Sequence, residues 1–204
     1  VGGGLVVDKH IGWKLKKLWI PVVTFAGMDN NGTSTISLSQ GTPTLEPITT
    51  SELAGVPMDT ADEVAHIFPI PWDLNREKKV YARLWFQHAS TDADTPGFIV
   101  TSKFFGRTDA MTEFIAGADV STTFAAHTCS TNAASLEVTV WTDLSWESYL
   151  TSTDMAAAIS VELNALGSAT ADECKLLGIE LGYEIEATDI TGRHRSQWEA
   201  PDAV

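Results

Sequence analysis

The run A-H-T-C-S at positions 126–130 sets His127, Cys129 and Ser130 within four residues, and these are side-chain types that nucleophilic chemistry uses. Such a mechanism needs a base within hydrogen-bonding reach of the thiol or hydroxyl, and a third group to orient that base. On an extended strand His127 and Cys129 share a face, but no second motif supplies the missing partner. A half-buried strand end is expected there. His10, His66, His88 and His194 stand singly, without the paired spacing of a zinc site. Asp92 and Asp94 in S-T-D-A-D-T-P-G, and Asp29 with Asn30 and Asn31 in D-N-N-G-T, place oxygen ligands close enough for calcium. Neither run has the twelve-residue spacing of an EF-hand, and Asp, Asn and Gly are also what tight turns use. The glycines at Val1–Gly4 lack the following helix and lysine of a phosphate loop. The reading is of a chain without a catalytic centre, metal site or cofactor.

Seven tryptophans are the remaining chemical anomaly. Trp85 and Trp141 fall on the otherwise polar faces of their strands, where an indole suggests a contact surface, either between subunits or for a stacked sugar. The plainer alternative covers them with a loop or a neighbouring strand. Trp13 and Trp19 share the first twenty residues with Lys9, Lys14, Lys16 and Lys17, and read as anchors into a partner's pockets. Near the other end Arg193, Arg195 and Trp198 offer a second contact.

The elements that must carry these residues are strands. From Cys174 to Glu186 the chain reads C-K-L-L-G-I-E-L-G-Y-E-I-E, with Leu177, Ile179, Leu181, Tyr183 and Ile185 alternating against glycine and glutamate. Period two over this length fits a strand with one wet face and would scatter apolar groups around a helix. Val80–His88 alternates in the same way, with Val80, Ala82, Leu84 and Phe86 inward, and Phe98–Phe105 looks like its hairpin partner. Leu136, Val138 and Val140 alternate with Glu137, Thr139 and Trp141, and Ile159, Val161 and Leu163 with Ser160, Glu162 and Asn164. Helix signals are confined to Asp109–Gly117 and Thr170–Glu173. With no βαβ rhythm, the pattern predicts an all-β antiparallel sandwich, in its jelly-roll form. The expected layout is an extended basic N-terminal arm over residues 1–26, a body over 27–190 and a tail over 191–204. The alternative for the arm is a first strand of the body's own sheet.

Composition restricts partners. The chain has 204 residues, 44% hydrophobic and 20% charged, within the globular range. Its formal net charge is −14; the first twenty residues hold four lysines against Asp8, a net of +3, which leaves −17 for the rest. An acidic body repels a phosphate backbone, so nucleic acid is not expected to bind it, whereas the basic arm suits an acidic partner. No apolar run is long enough to span a membrane, and the start lacks the order of a secretory signal. Cys129 and Cys174 are the only cysteines, read as free thiols in a reducing cytosol.

Three segments together carry a family resemblance. F-P-I-P-W-D-L-N (Phe68 to Asn75), with Pro71 fixing a turn and Trp72 placed to plug one end of the sandwich, leads directly into V-Y-A-R-L-W-F. The strand at 158–164 follows, and T-A-D-E-C-K-L-L-G-I-E-L-G-Y (Thr170 to Tyr183) closes the set. In this order, over about residues 64–186, they resemble the jelly-roll structural proteins of tailed bacteriophages that decorate or cement the capsid, commonly as trimers. The resemblance implies a non-enzymatic virion subunit assembled in the host cytoplasm, bound to the major capsid protein and to copies of itself. The alternative is a carbohydrate-binding or host-receptor-binding head that uses Trp85, Trp141 and loop carboxylates.

Overall fold

The computed structural model describes residues 15–28, 46–47, 54–88, 91–109, 118–132, 134–165 and 174–185. Along the chain run strands β1 (Leu15–Pro21), β2 (Ala26–Met28), β3 (Glu46–Pro47), β4 (Ala54–Met58), β5 (Glu63–Pro69), β6 (Val80–His88), β7 (Gly97–Gly106), β8 (Val120–Thr123), β9 (Ser135–Val138), β10 (Thr142–Asp143), β11 (Asp154–Ala165) and β12 (Cys174–Glu184). They form two antiparallel sheets. One runs β10-β6-β12-β4-β3, with β1 also on β12 and β9 also on β6; the other runs β2-β5-β11-β7-β8. Among the described residues there is no α-helix, only two single turns of 3-10 helix. The chain is an all-β sandwich, as its period-two segments predict.

The core lies between the two inner faces. β6 contributes Val80, Ala82, Leu84 and Phe86, β11 contributes Ala157, Ile159, Val161 and Leu163, and β12 contributes Leu176, Ile179 and Leu181. Near its centre Trp146 is fully buried, edge-on to Phe104 with ring centroids 5.2 Å apart. Its Nε1–H donates to Ser102 Oγ at 3.0 Å, so the one polar atom of the indole is satisfied inside the core.

Several expectations need correction. β6 and β7 are not a hairpin: β6 pairs with β12, β9 and β10 in one sheet, and β7 with β11 and β8 in the other. The connection between them crosses from sheet to sheet. In β12 the alternation slips at Leu177, where the register against β6 shifts between Leu176 and Gly178. The extra residue lets both Leu176 and Ile179 face the core, and leaves Leu177 half-buried.

β9 shows the reverse of the expected faces. Leu136 and Val140 are 60% and 65% exposed, while Glu137 and Thr139 are buried. Hydrogen bonding sets this phase. Thr139 Oγ1 accepts the Leu84 N–H of β6 at 2.9 Å, and the Glu137 carboxylate accepts from Ser135 Oγ, from the Ser130 N–H and from His127 Nε2. Turning the strand over to bury Leu136 would leave those donors unpaired at a buried strand end.

The supposed arm is, from Leu15 to Pro21, a strand of the body's own sheet, paired antiparallel to β12 in continuous register from Leu15↔Glu184 to Pro21↔Gly178. The first fourteen residues, including Lys9, Trp13 and Lys14, lie outside the described residues. So do 110–117 and 170–173, where helices were expected, Asp29, and the tail with Arg193, Arg195 and Trp198. Trp72 does not plug the sandwich: it is 67% exposed, and its neighbour Leu74 turns inward instead. Asp73 accepts from Lys16 Nζ at 2.6 Å and from Tyr183 Oη at 3.3 Å, so its carboxylate reaches outward to side chains of β1 and β12. The turn is closed by the Leu74 N–H on Pro71 O.

Candidate interaction surface

On the outer face of β12, Gly178, Glu180 and Gly182 occupy alternate positions, and both glycines are covered by indoles. A Cβ on Gly178 would stand 2.7 Å from the Trp19 ring, and one on Gly182 3.2 Å from the Trp141 ring. Glu180 is buried between them and accepts from Arg83 Nε at 2.6 Å and from Trp85 Nε1 at 3.1 Å, with Lys17 Nζ at 3.3 Å. The Arg83 guanidinium lies 5.0 Å from the centre of the Trp85 ring and 4.7 Å from that of Trp141, with Lys17 Nζ 5.8 Å from Trp141. Burial alone would raise the Glu180 carboxyl, but the hydrogen bonds from Arg83 and Trp85 and the adjacent positive charge hold it below the ordinary carboxylate value.

This arrangement answers the question posed by Trp85 and Trp141. Their faces carry cations, and Trp141 also rests on Gly182, so their main partners lie within the chain. A sugar stacking on the face of either ring that carries Arg83 would have to displace the guanidinium. Lys17 and Trp19 belong to the same cluster and tie β1 onto β12; Trp19 meets Trp85 edge-on, with centroids 6.0 Å apart, yet remains 45% exposed.

A second feature opens beside it. The outer edge of β1 has no strand on it among the described residues, and β2 covers only Glu63–Ala65 of β5, leaving His66–Pro69 unpaired on that side. Between these two edges runs a groove of about 490 Å³, with Leu18, Ile20, Phe68 and Pro69 among its walls and Trp19 and Trp72 at its rim. Lys16, Lys17, Thr24, His66, Asp73 and Tyr183 supply its polar groups. The Asp73 hydrogen bond holds the Lys16 ammonium above its usual pKa, and burial, followed by the Asp73 charge, raises the Tyr183 phenol.

The A-H-T-C-S run lies at one end of the sandwich as irregular chain. His127 Nε2 donates to Glu137 Oε2 at 2.8 Å, while Cys129 is buried and its own N–H bonds Asp94 O. Burial first, then the charges of Glu137 and Asp94, push the Cys129 thiol up to about 12, so it is a neutral core thiol at physiological pH. Cys174 is likewise buried and free, and raised by burial. Asp94 turns inward onto His88 Nε2 at 2.9 Å, which separates it from exposed Asp92 and removes the pair as a surface oxygen cluster. No group of three His, Cys, Asp or Glu side chains placed to hold a metal occurs among the described residues.

No family model matches the chain, and no curated protein does. Among solved structures it is similar to dimeric latent PorU from Porphyromonas gingivalis, at 9% identity and a TM-score of 0.37. That alignment covers 85% of this chain and 13% of the other. A likeness at this level supports no statement about activity.

Arg83 and Glu180 were legible only as polar positions on two strands. The signal for their role is the spacing Gly178-x-Glu180-x-Gly182: two missing side chains flanking a carboxylate make room for aromatic rings from neighbouring strands. The exposure of Trp72 carried no such signal.

Proposed function

We propose that the chain is a non-enzymatic structural subunit of a virion, a decoration or cement protein that self-associates and seats on the major capsid protein. The observation that carries an adhesive role is the apolar surface left in water. Ile67 is 42% and Met155 59% exposed, close to exposed Pro69 on the outer side of β5 and β11, and Leu136 and Val140 project from β9 and its continuation. Exposed apolar groups of this kind, placed on sheet surfaces and edges, suit contact with other protein surfaces. The jelly-roll form is supported by strand order: β4-β12-β6 with β9 and β10 opposes β5-β11-β7-β8, and the chain alternates between sheets as such a fold does. The link to a capsid rests on the resemblance carried by Phe68–Asn75, residues 158–164 and Thr170–Tyr183.

The test has two parts. Light scattering of the purified chain at low and high salt should give about three times 22.0 kDa, and the chain should co-sediment with capsids of the phage that encodes it. Leu136→Asp with Val140→Asp, or Ile67→Asp with Met155→Asp, should weaken one of these associations without unfolding the sandwich. A chain that neither self-associates nor binds capsids refutes the proposal.

A further inference from the structure

We propose that the groove between β1 and β5 is a binding site for a neutral saccharide, stacked against Trp72 with Trp19 at its rim. These are the exposed indoles among the described residues, 67% and 45% open, and both line this groove. In contrast to Trp85 and Trp141, neither is held under an arginine. An indole offers an apolar face to the C–H face of a pyranose ring, and a volume of about 490 Å³ lies within the range of small-ligand sites.

The polar groups suit hydroxyls. Asp73 presents carboxylate oxygens, with Oδ2 on Lys16 Nζ and Oδ1 accepting from Tyr183 Oη, so acceptor and donors stand side by side. Vicinal hydroxyls, each both donor and acceptor, complement such a row. His66 Nδ1 lies 2.8 Å from Thr24 O. A carbonyl only accepts, so Nδ1 carries a proton and donates it there. Charge also bears on the class of sugar: Lys16 is paired with Asp73, and Lys17, which lines the groove too, is engaged by Glu180, so among the described residues each groove ammonium has a carboxylate partner, which favours a neutral sugar over a sialylated or sulfated one. This site is independent of the capsid reading, and either can fail alone.

The experiment applies the full chain to a printed array of neutral oligosaccharides built from glucose, galactose, mannose and N-acetylglucosamine, beside sialylated and sulfated counterparts. The strongest neutral binder is then titrated calorimetrically against wild type and variants. Trp72→Ala should weaken binding about tenfold, the equivalent of one lost stacking contact. Because Trp72 is mostly exposed, its removal leaves the fold intact, which circular dichroism checks. Tyr149→Ala, exposed but outside the groove, should bind as wild type. Binding of anionic glycans alone, neutral binding unchanged by Trp72→Ala, or no glycan binding, as for a groove that accepts a peptide strand, overturns the proposal.

Discussion

Gly178→Ala is the sharpest test of how β1 is held. A Cβ at Gly178 would stand 2.6 Å from the Ile20 carbonyl oxygen and 2.7 Å from two atoms of the Trp19 ring. Trp19 is half-open and can swing away, but Ile20 O is backbone of the β1–β12 ladder, one pair from its Pro21↔Gly178 end. Relieving that contact requires β1 to move off β12. Forced insertion of one carbon into packed structure costs about 1–3 kcal/mol, against about 0.4–1 kcal/mol gained from a stiffer unfolded chain, so a net loss of about 1–2 kcal/mol is expected. Gly182→Ala supplies the internal control, because the nearest atoms its Cβ would meet are those of the Trp141 ring at 3.2 Å and the Leu15 side chain at 3.4 Å, side chains and not backbone. Its cost should be under about 0.5 kcal/mol. Neither glycine has a left-handed backbone, so the difference is steric. Urea unfolding reads the contrast: at a slope of about 2 kcal/mol/M, Gly178→Ala lowers the midpoint by about 0.5–1 M while Gly182→Ala barely moves it. Hydrogen exchange should show β1 amides opening first in Gly178→Ala. Adding Trp19→Ala should not restore the loss, since the clash with Ile20 O remains. Equal midpoints for the two glycine variants, or full rescue by Trp19→Ala, would refute the reasoning.

Glu180→Gln removes the charge that Arg83 and Lys17 share. It should cost about 1–2 kcal/mol in urea unfolding, less than for a fully buried pair because Lys17 is half-exposed. Glu180 and Glu137 both have folded-state pKa values below their unfolded ones, so each contributes stability above the unfolded carboxylate range that is lost as pH falls through the folded value. The acid limb of a stability–pH profile should therefore flatten in Glu180→Gln and in Glu137→Gln. Cys129, raised to about 12, and buried Cys174 should resist Ellman's reagent at pH 8 in the native chain and react together on unfolding, whereas rapid native labelling would contradict the burial.

The sequence made the inner faces of β6 and β11 legible because those strands lie centrally and pack one face on the core, where the side-chain period of two becomes the burial period. β12 was legible in type but not in phase. The local pattern treats Leu176 and Leu177 alike, and only the register against β6 decides which of them is the extra residue. β9 misled for a stronger reason. Hydrophobicity ranks Leu136 above Glu137, but at the edge of a sheet the decisive cost is an unpaired N–H or hydroxyl, and Glu137 satisfies three donors there while Leu136 satisfies none.

The same accounting explains why the tryptophans could be counted but not sorted. Whether an indole is structural or available depends on what lies against its faces, and for Trp85 and Trp141 that is Arg83 from β6, with Gly182 from β12 beneath Trp141. Arg83 and Trp85 are alternate residues of β6, but Glu180, which holds the guanidinium, and Gly182 are distant in sequence and reach them only through the pairing of β6 with β12. Trp19 shows the intermediate case, lying over Gly178 and edge-on to Trp85 yet 45% exposed. Its strand looked like a free arm because it is basic and aromatic, yet those are the properties that fasten it: Lys16 to Asp73, Lys17 to Glu180, and Trp19 over the gap left by a glycine. A strand held in this way on one edge and, among the described residues, unpaired on the other brings Trp19 to the rim of a groove where it and Trp72 meet a carboxylate, two ammonium groups and an imidazole. Loosening β1 with Gly178→Ala should therefore weaken binding in that groove even though Gly178 does not line it.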